Sequence, residues 1–302
     1  MYNKKGIEIT FSWIFAIIAG TLIFLFFIGF AADNMDLFGK LTAMRVSEEM
    51  NSAFTGLKTG LVSTSLSFNK EIKLQFKCIG EKKEKLIVGY RSGKNLYDNL
   101  VFSPEELNGN EFLLMTKSWN VPYKVDNFIF ISDNRKYSLN GLNQNEFDKL
   151  KNDLPDDFKS LIERNTGNGK IIEFKSDNSP NTCNKLTNDI VYYFIDTNNG
   201  EMYGKICTKN MENKSPLDFY GDDMIYAAIF GDQFDCLYPL IGEKFNIMRD
   251  VYLQKIGRIT GCDKGGLQNA ITSMDTINKI QTYFDSIDTK NKALIGKGCN
   301  VF

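Results

Sequence analysis

The sequence predicts an α+β protein with four parts: an N-terminal transmembrane helix, a helical stalk, an antiparallel β-rich head and a C-terminal helical hairpin. Three observations carry that prediction. An uncharged apolar run fills residues 9 to 32, side chains alternate with period two from about residue 71, and helical spacing returns beyond Pro216. They divide the 302 residues into a cytoplasmic tip and transmembrane helix (1–33), an amphipathic stalk helix (34–62), a β-rich α+β domain (63–215) and a helical hairpin packed on the head (216–302).

From Ile9 to Ala32 no side chain is charged. At ~1.5 Å of rise per residue this run reaches about 36 Å, enough to cross a hydrocarbon core of roughly 30 Å. Thr10, Ser12 and Thr21 are its only polar residues, and each hydroxyl has a backbone carbonyl one turn earlier to bond. Lys4 and Lys5 precede the run while Asp33 and Asp36 follow it, which places the N-terminus in the cytoplasm and the remainder outside. Phe11 and Trp13 suit the headgroup level, and Ala16 with Gly20 forms a small-xxx-small pair through which another helix can approach. Gly29-Phe30-Ala31 has the small residues of a signal-peptide cleavage site. The apolar run, however, exceeds the ~7 to 15 residues that cleaved signals use.

Lys4-Lys5-Gly6, followed at once by an apolar helix carrying Glu8, resembles the start of type IV prepilins and pilin-like archaeal surface proteins. The resemblance covers residues 4 to about 32. It implies cleavage after Gly6 and a helix that packs a filament. Cutting there makes Glu8 the second residue of the mature chain, whereas the bacterial pattern puts its glutamate five residues past the cut; archaeal versions are looser.

Beyond Asp33, Ala43, Val46, Met50, Ala53, Phe54 and Leu57 recur at helical spacing and continue the helix as a stalk. In "EIKLQFKCI" Ile72, Leu74, Phe76 and Cys78 alternate with charged or polar residues, and the turn "GEKKEK" leads into "LIVGYR", so residues 71 to 91 read as a hairpin. Strands are expected at "EFLLMTK", at "NFIFIS" paired through Asp133 to Arg135 with "KYSL", and at "KIIEFK". Asn199-Gly200 joins two β-rich runs as a second hairpin. Phe147, Leu150 and Leu154 mark a short helix stopped by Pro155, and Phe158, Leu161 and Ile162 another. Past Pro216, Ile241, Phe245, Met248, Tyr252, Ile256 and Ile259 form one stripe. Leu267, Ala270, Met274, Ile277, Phe284 and Ile287 form a second, across the turn "TGCDKGG".

Six cysteines, Cys78, Cys183, Cys207, Cys236, Cys262 and Cys299, all follow the apolar run. An even number on the oxidising side of a membrane invites disulfides. A helix from about Leu237 to Ile259 holds Cys236 and Cys262 at opposite ends, ~34 Å apart, and the returning helix brings the tail back toward Cys236. A Cys236–Cys299 bond is therefore expected, with no geometric argument for the other four.

The chain has no histidine, which removes Ser-His-Asp and Cys-His hydrolases and His-ligated zinc or haem. The nearest cysteines in sequence, Cys183 and Cys207, are 24 apart, so no Cys-x-x-Cys zinc or redox motif exists. "TGNGK" at 166 to 170 and "GCDKGG" lack phosphate-loop spacing, and "DTNNGE" lacks the closing glutamate of a calcium loop. A net charge of −1 argues against a nucleic-acid surface. Asp218, Asp222, Asp223, Asp232 and Asp235 flank the apolar "MIYAAIF"; they read first as caps on a solvated helix and second as a carboxylate metal site. Trp119, Pro122 and Tyr123 read as core before surface patch. Asn213-Lys214-Ser215 fits a glycan acceptor but is followed by Pro216.

The sequence thus anticipates a single-pass, membrane-anchored extracytoplasmic protein with a structural or binding role. It is expected to have no cofactor and no recognisable reaction. Its expected partners are the lipid bilayer, through Ile9 to Ala32, and a membrane or surface protein. A pilin-like subunit is the alternative and a surface enzyme the remaining one.

Overall fold

The computed structural model describes residues 5–78, 84–89, 94–96, 99–175, 181–184, 186, 188–198, 201–299 and 301–302. The chain forms two compact units, residues 1–49 and 50–302. It is mixed α+β, with antiparallel-rich sheets and an apolar N-terminal helix.

In the first unit every described residue belongs to α1 (Lys5–Thr59), 55 residues long in all. Its window from Trp13 to Phe30 has mean hydropathy 2.5 and no buried residue, and it is long and apolar enough to cross a membrane. Thr21 Oγ1 donates to the Ile17 carbonyl at 2.8 Å, the return bond expected of a hydroxyl in an apolar helix. Ala16 and Gly20 are both exposed. Lys4 lies outside the described residues, as do the side chains of Lys5, Glu8, Thr10, Phe11, Ser12, Asp33 and Asp36; at Gly6 only the helical backbone is described.

The second unit holds the end of α1 and twelve strands. The first six are β1 (Ser63–Cys78), β2 (Glu84–Val88), β3 (Lys94–Asn95), β4 (Leu100–Phe102), β5 (Glu106–Asn120) and β6 (Lys124–Ser132). They make one sheet in the order β3-β2-β1-β5-β6-β4, antiparallel except where β4 meets β6. The first expected hairpin is there, Leu74 opposite Val88, with its turn at 79–83 outside the described residues.

Next come β7 (Tyr137–Asn140), α2 (Gln144–Asn152), α3 (Asp156–Lys159), β8 (Ile162–Arg164), β9 (Lys170–Lys175), β10 (Ile190–Asn198), β11 (Glu201–Thr208) and β12 (Leu217–Tyr220). These strands make the second sheet, β12-β11-β10-β9-β7-β8. The β10–β11 hairpin is as expected, with Asn199 and Gly200 outside the described residues.

Two local expectations fail here. The sequence pairs β6 with β7 across Asp133 to Arg135, yet the two strands belong to different sheets. The Arg135 guanidinium closes on the Asp133 carboxylate at 2.6 and 2.7 Å and donates to the Glu106 carbonyl, so this turn carries the chain from sheet to sheet. Leu161 and Ile162 were read as helical; Ile162 instead opens β8, parallel to β7. Three of the second sheet's five pairings are consequently parallel, β7–β8, β7–β9 and β9–β10, and the other two antiparallel.

After β12 come α4 (Asp222–Phe230), α5 (Phe234–Arg258), α6 (Gly265–Ser273) and α7 (Ile280–Ile295). Met224 to Phe230 are each 0% exposed. A helix apolar on every side must be enclosed, and α4 lies between the sheets, touching β4, β5 and β6 of one and β11 and β12 of the other. Its Phe230 ring meets Phe130 from the first sheet, Tyr137 from the second and Phe158 from α3. Tyr192 on β10 donates its hydroxyl to the Ile225 carbonyl at 2.8 Å. At Gly231, where α4 ends, an added Cβ would sit 2.5 Å from the Ala227 carbonyl oxygen and 3.2 Å from Phe102, so glycine permits the helix to close onto β4.

Where β5 pairs with β6 the first sheet is buried on both faces. Met115, Phe128 and Phe130 point to the α4 side, while Phe112, Leu114, Ile129 and Ile131 point away and are also buried. On that second face Asn127 Nδ2 donates to the Lys58 carbonyl at 3.4 Å. The end of α1 lies there, with Met50, Phe54 and Leu57 buried on one stripe.

The C-terminal pair of helices is a correction. The stretch from Leu267 to Ile287, read as one returning helix, breaks at Met274 to Thr276 into α6 and α7, which pack on each other. The tail therefore comes back to the far end of α5. Lys255 Nζ donates to the Val301 carbonyl, Phe302 packs edge-on against Tyr252, and Asn291 Nδ2 holds the Phe302 carbonyl at 2.9 Å.

The same break decides the disulfides. Cys236 pairs with Cys78, not Cys299, because the start of α5 meets the end of β1, with Cα atoms 6.3 Å apart. Cys299 pairs with Cys262 at 6.5 Å and Cys183 with Cys207 at 5.6 Å. The Cys78–Cys236 bond spans 158 residues, and closing a loop of that order restrains the unfolded chain by about 5 kcal/mol in the chain-entropy account. Non-reducing peptide mapping is expected to recover these three pairs; a Cys236–Cys299 peptide would overturn the helix order described.

Candidate functional site

The polar centre of the head forms where α4 ends. Helix C-termini leave carbonyl oxygens without intrahelical donors, and they attract cations. Lys170, the first residue of β9, supplies both partners: its Nζ donates to the carbonyls of Ala228 (3.3 Å) and Ile229 (2.9 Å) and pairs with Asp232 Oδ1 at 2.7 Å. All three ammonium donors are thereby used. The other Asp232 oxygen accepts the Glu105 amide at 3.0 Å, and the Asp232 amide donates to Ser103.

Burial pulls the Lys170 ammonium below its usual value while Asp232 pulls it back. At Asp232 burial acts upward, but Lys170, the Glu105 amide and Arg135 outweigh it and hold the carboxyl below its ordinary range. The pair ties β9, α4 and the strand-entry loop of β5 together.

Beside this pair opens a cavity of about 250 Å³ lined by Glu105, Asp189, Thr208, Lys209 and the Lys170–Asp232 pair. Asp189 gives one carboxylate oxygen to the Ile171 amide at 3.1 Å. Thr208, at the end of β11, is 4% exposed, and its hydroxyl has no hydrogen-bond partner among the described residues. A wider recess of about 520 Å³ adjoins it through Lys170 and is lined by Arg135, Asp133 and the tip of β5 at Asn108 to Glu111.

At the other end of α4 lies a second polar group. Asp222 Oδ2 meets Lys149 at 2.6 Å, Lys117 pairs with Asp153, and the Tyr226 hydroxyl donates to the Leu150 carbonyl at 2.7 Å. Burial raises Asp222 against the pull of Lys149. Burial likewise pushes Asp223 up to about 7; Lys117 opposes, while Asp153, Asp222 and Glu201 add to the rise. Glu201 is raised by burial and by Asp222.

The five aspartates grouped in the sequence are not a cluster. Asp218 faces Lys205, Asp222 faces Lys149, Asp232 faces Lys170 and Asp235 stands 4.0 Å from Lys214. Nor do they cap a solvated helix: α4 is enclosed, its N-cap is Gly221, and no side-chain cap bond is made. Among the described residues no group of three Cys, Asp or Glu side chains is arranged to hold a metal ion. Trp119 and Tyr123 are core residues, each 1% exposed, with the indole N–H of Trp119 donating to the Tyr220 carbonyl at 3.3 Å. Asn213 sits exposed in a turn at φ 61°. Lys170, Asp189 and Thr208 had no signal in the sequence: Lys170 reads as the last residue of a glycine-rich turn, and its partners lie some 60 positions away.

Comparison with family models, curated proteins and solved structures finds no match. The function therefore has to be argued from the chain itself.

Two outcomes follow from this electrostatics. Asp223 has a folded value above its ordinary 3.8, so the native state keeps a proton that the unfolded chain loses between 3.8 and about 7. Its contribution is fully present below 3.8 and is lost as pH rises through about 7. Asp223→Asn is accordingly expected to raise Tm by about 3 °C or more at pH 8, with the gain fading toward pH 4, in thermal unfolding followed by circular dichroism. Lys170→Met, which strands Asp232 and two carbonyls, is expected to cost about 3 to 5 kcal/mol in denaturant unfolding.

Proposed function

We propose that this is a single-pass membrane-anchored protein whose N-terminus is cytoplasmic and whose α+β head, residues 50–302, serves a binding or structural role outside the membrane. The observation that carries this reading is the Trp13–Phe30 window, uncharged, with Thr21 its one polar side chain, and without a buried residue. Apolar side chains left bare over five turns need a solvent of hydrocarbon. The three disulfides are a second, independent support, since such bonds persist in oxidising compartments. The flanking charges, Lys4 and Lys5 against Asp33 and Asp36, favour the same orientation. In this reading residues 34–62 are the stalk, and Ala16 with Gly20 offers a face for another membrane helix. No reaction is proposed.

A second reading, a pilin-like subunit cut after Gly6, rests on Lys4-Lys5-Gly6 followed at once by an apolar helix carrying Glu8. Mass spectrometry of the membrane-extracted protein separates the two: a mature chain starting at Ile7 supports the subunit reading, and an uncut N-terminus supports the plain anchor. For the anchor itself, protease added to intact cells is expected to degrade the head, and carbonate washing to leave the protein in the membrane fraction. A head protected in intact cells and degraded only after lysis would reverse the orientation.

A further inference from the structure

We infer that the open edge of β1, Ser63 to Ser67, pairs with the same edge of a second copy of this chain, so that two heads share one antiparallel sheet across a two-fold axis at Ser65. The inference goes beyond the membrane reading and does not depend on it.

Both sheets end in short strands: β3, β4, β8 and β12 hold two to four residues each. Edges that short offer little to a pairing strand. β1 is different because its neighbour stops early. It runs from Ser63 to Cys78, yet β2 pairs only with Leu74 to Cys78, while β5 covers the opposite side. Between Ser63 and Ser67 no strand among the described residues pairs with the side that faces away from β5. One bond fixes the direction of the backbone groups there: the Val62 carbonyl accepts the Thr116 amide of β5 at 2.9 Å. Alternate residues of an antiparallel strand bond to the same neighbour, so Thr64 and Leu66 also face β5. The amides and carbonyls of Ser63, Ser65 and Ser67 then face the open side, where Ser65 and Ser67 are exposed.

Nothing on this stretch turns a second strand away. Open edges are guarded by charge, proline or a bulge. From Gly60 to Asn69 there is no charge and no proline, and Lys70 and Glu71 come only where the register shifts, between Ser67 and Ile72. Two copies therefore bring no like charges together. About a two-fold axis at Ser65, that residue faces its own copy and Ser63 faces Ser67, giving three hydrogen-bonded pairs of two bonds each, about six in all. The intervening side chains share the other face and meet as Thr64 with Leu66 and Val62 with Phe68. Val62 is 65% exposed; Phe68, half-buried, packs on Phe112 with ring centroids 6.0 Å apart. Self-pairing thus covers an apolar residue that the single head leaves bare. Neighbouring registers fit less well: an axis at Thr64 sets Ser67 against Leu61, before the strand begins, and an axis at Leu66 sets Val62 against Lys70.

The test uses the full chain in detergent. Light scattering after gel filtration is expected to show a dimer at concentrations on the order of 100 µM. An added thiol, Ser65→Cys, is expected to be linked to its own copy by a short bis-maleimide, whereas Thr272→Cys, exposed on α6, is not. Ser65→Lys sets two lysines face to face on the axis and Ser65→Glu two glutamates; each is expected to weaken dimerisation about tenfold or more. Mixing the lysine-bearing and glutamate-bearing chains is expected to restore the dimer. Because the Ser65 side chain is exposed, neither substitution is expected to change Tm in dilute protein.

Four results would overturn the inference. The first is a chain that stays monomeric over this range, and the second a dimer that neither charge variant weakens, as association through Ala16 and Gly20 would give. The third is a mixture that fails to recombine, which would leave the edge to a strand from another protein, and the fourth is equal cross-linking at Thr272. None of these touches the membrane reading, which the protease and carbonate experiments decide separately.

Discussion

Seven consecutive residues without a solvent-facing side, Met224 to Phe230, set the architecture of the head. Each large apolar side chain among them is worth about 1.5 to 3 kcal/mol when fully buried, so exposing any face of α4 would be costly. Enclosure requires cover on all sides, and two six-stranded sheets with α2 and α3 supply it. This explains why the chain crosses from one sheet to the other at Asp133 to Arg135 instead of extending the first. A single continuous sheet could cover only one face of the helix.

Enclosing a helix creates an electrostatic demand at its ends, since its terminal amides and carbonyls lie in a region poor in water. The head meets that demand with opposite charges at opposite ends: Asp222 and Asp223 in the first turn, the former paired with Lys149, and Lys170 on the last carbonyls, balanced by Asp232. The arrangement follows the sign of the helix dipole. Both polar centres are thus consequences of burying α4, and the cavity at Thr208 is a by-product of the second: the Lys170–Asp232 pair holds β9 and the β5 entry loop beside the end of α4, and the cavity opens next to it.

The alternations and stripes were legible because they are local. The β1–β2 and β10–β11 hairpins, the α2 helix and the apolar stripe of α5 each span fewer than about 30 residues, and period and turn chemistry suffice to place them. The Asp133 turn misled because its side-chain bond makes a tight reversal in either topology. The break at Met274 to Thr276 was hidden because apolar spacing continues across it, so the second stripe looked like one helix. A single helix over that stripe would return the tail to the start of α5 and bring Cys299 to Cys236; the break sends it to Cys262 instead.

From its sequence alone this protein could be given an apolar segment long enough for a bilayer, an even set of cysteines beyond it, the absence of histidine chemistry and an α+β composition, because each is a property of residue type and near spacing. Which cysteines meet, which lysine answers which aspartate, and that the Thr208 hydroxyl is buried without a partner among the described residues were decided only in the folded chain. Those contacts join positions from 13 to 158 residues apart, and their partners are selected by how the two sheets close around α4.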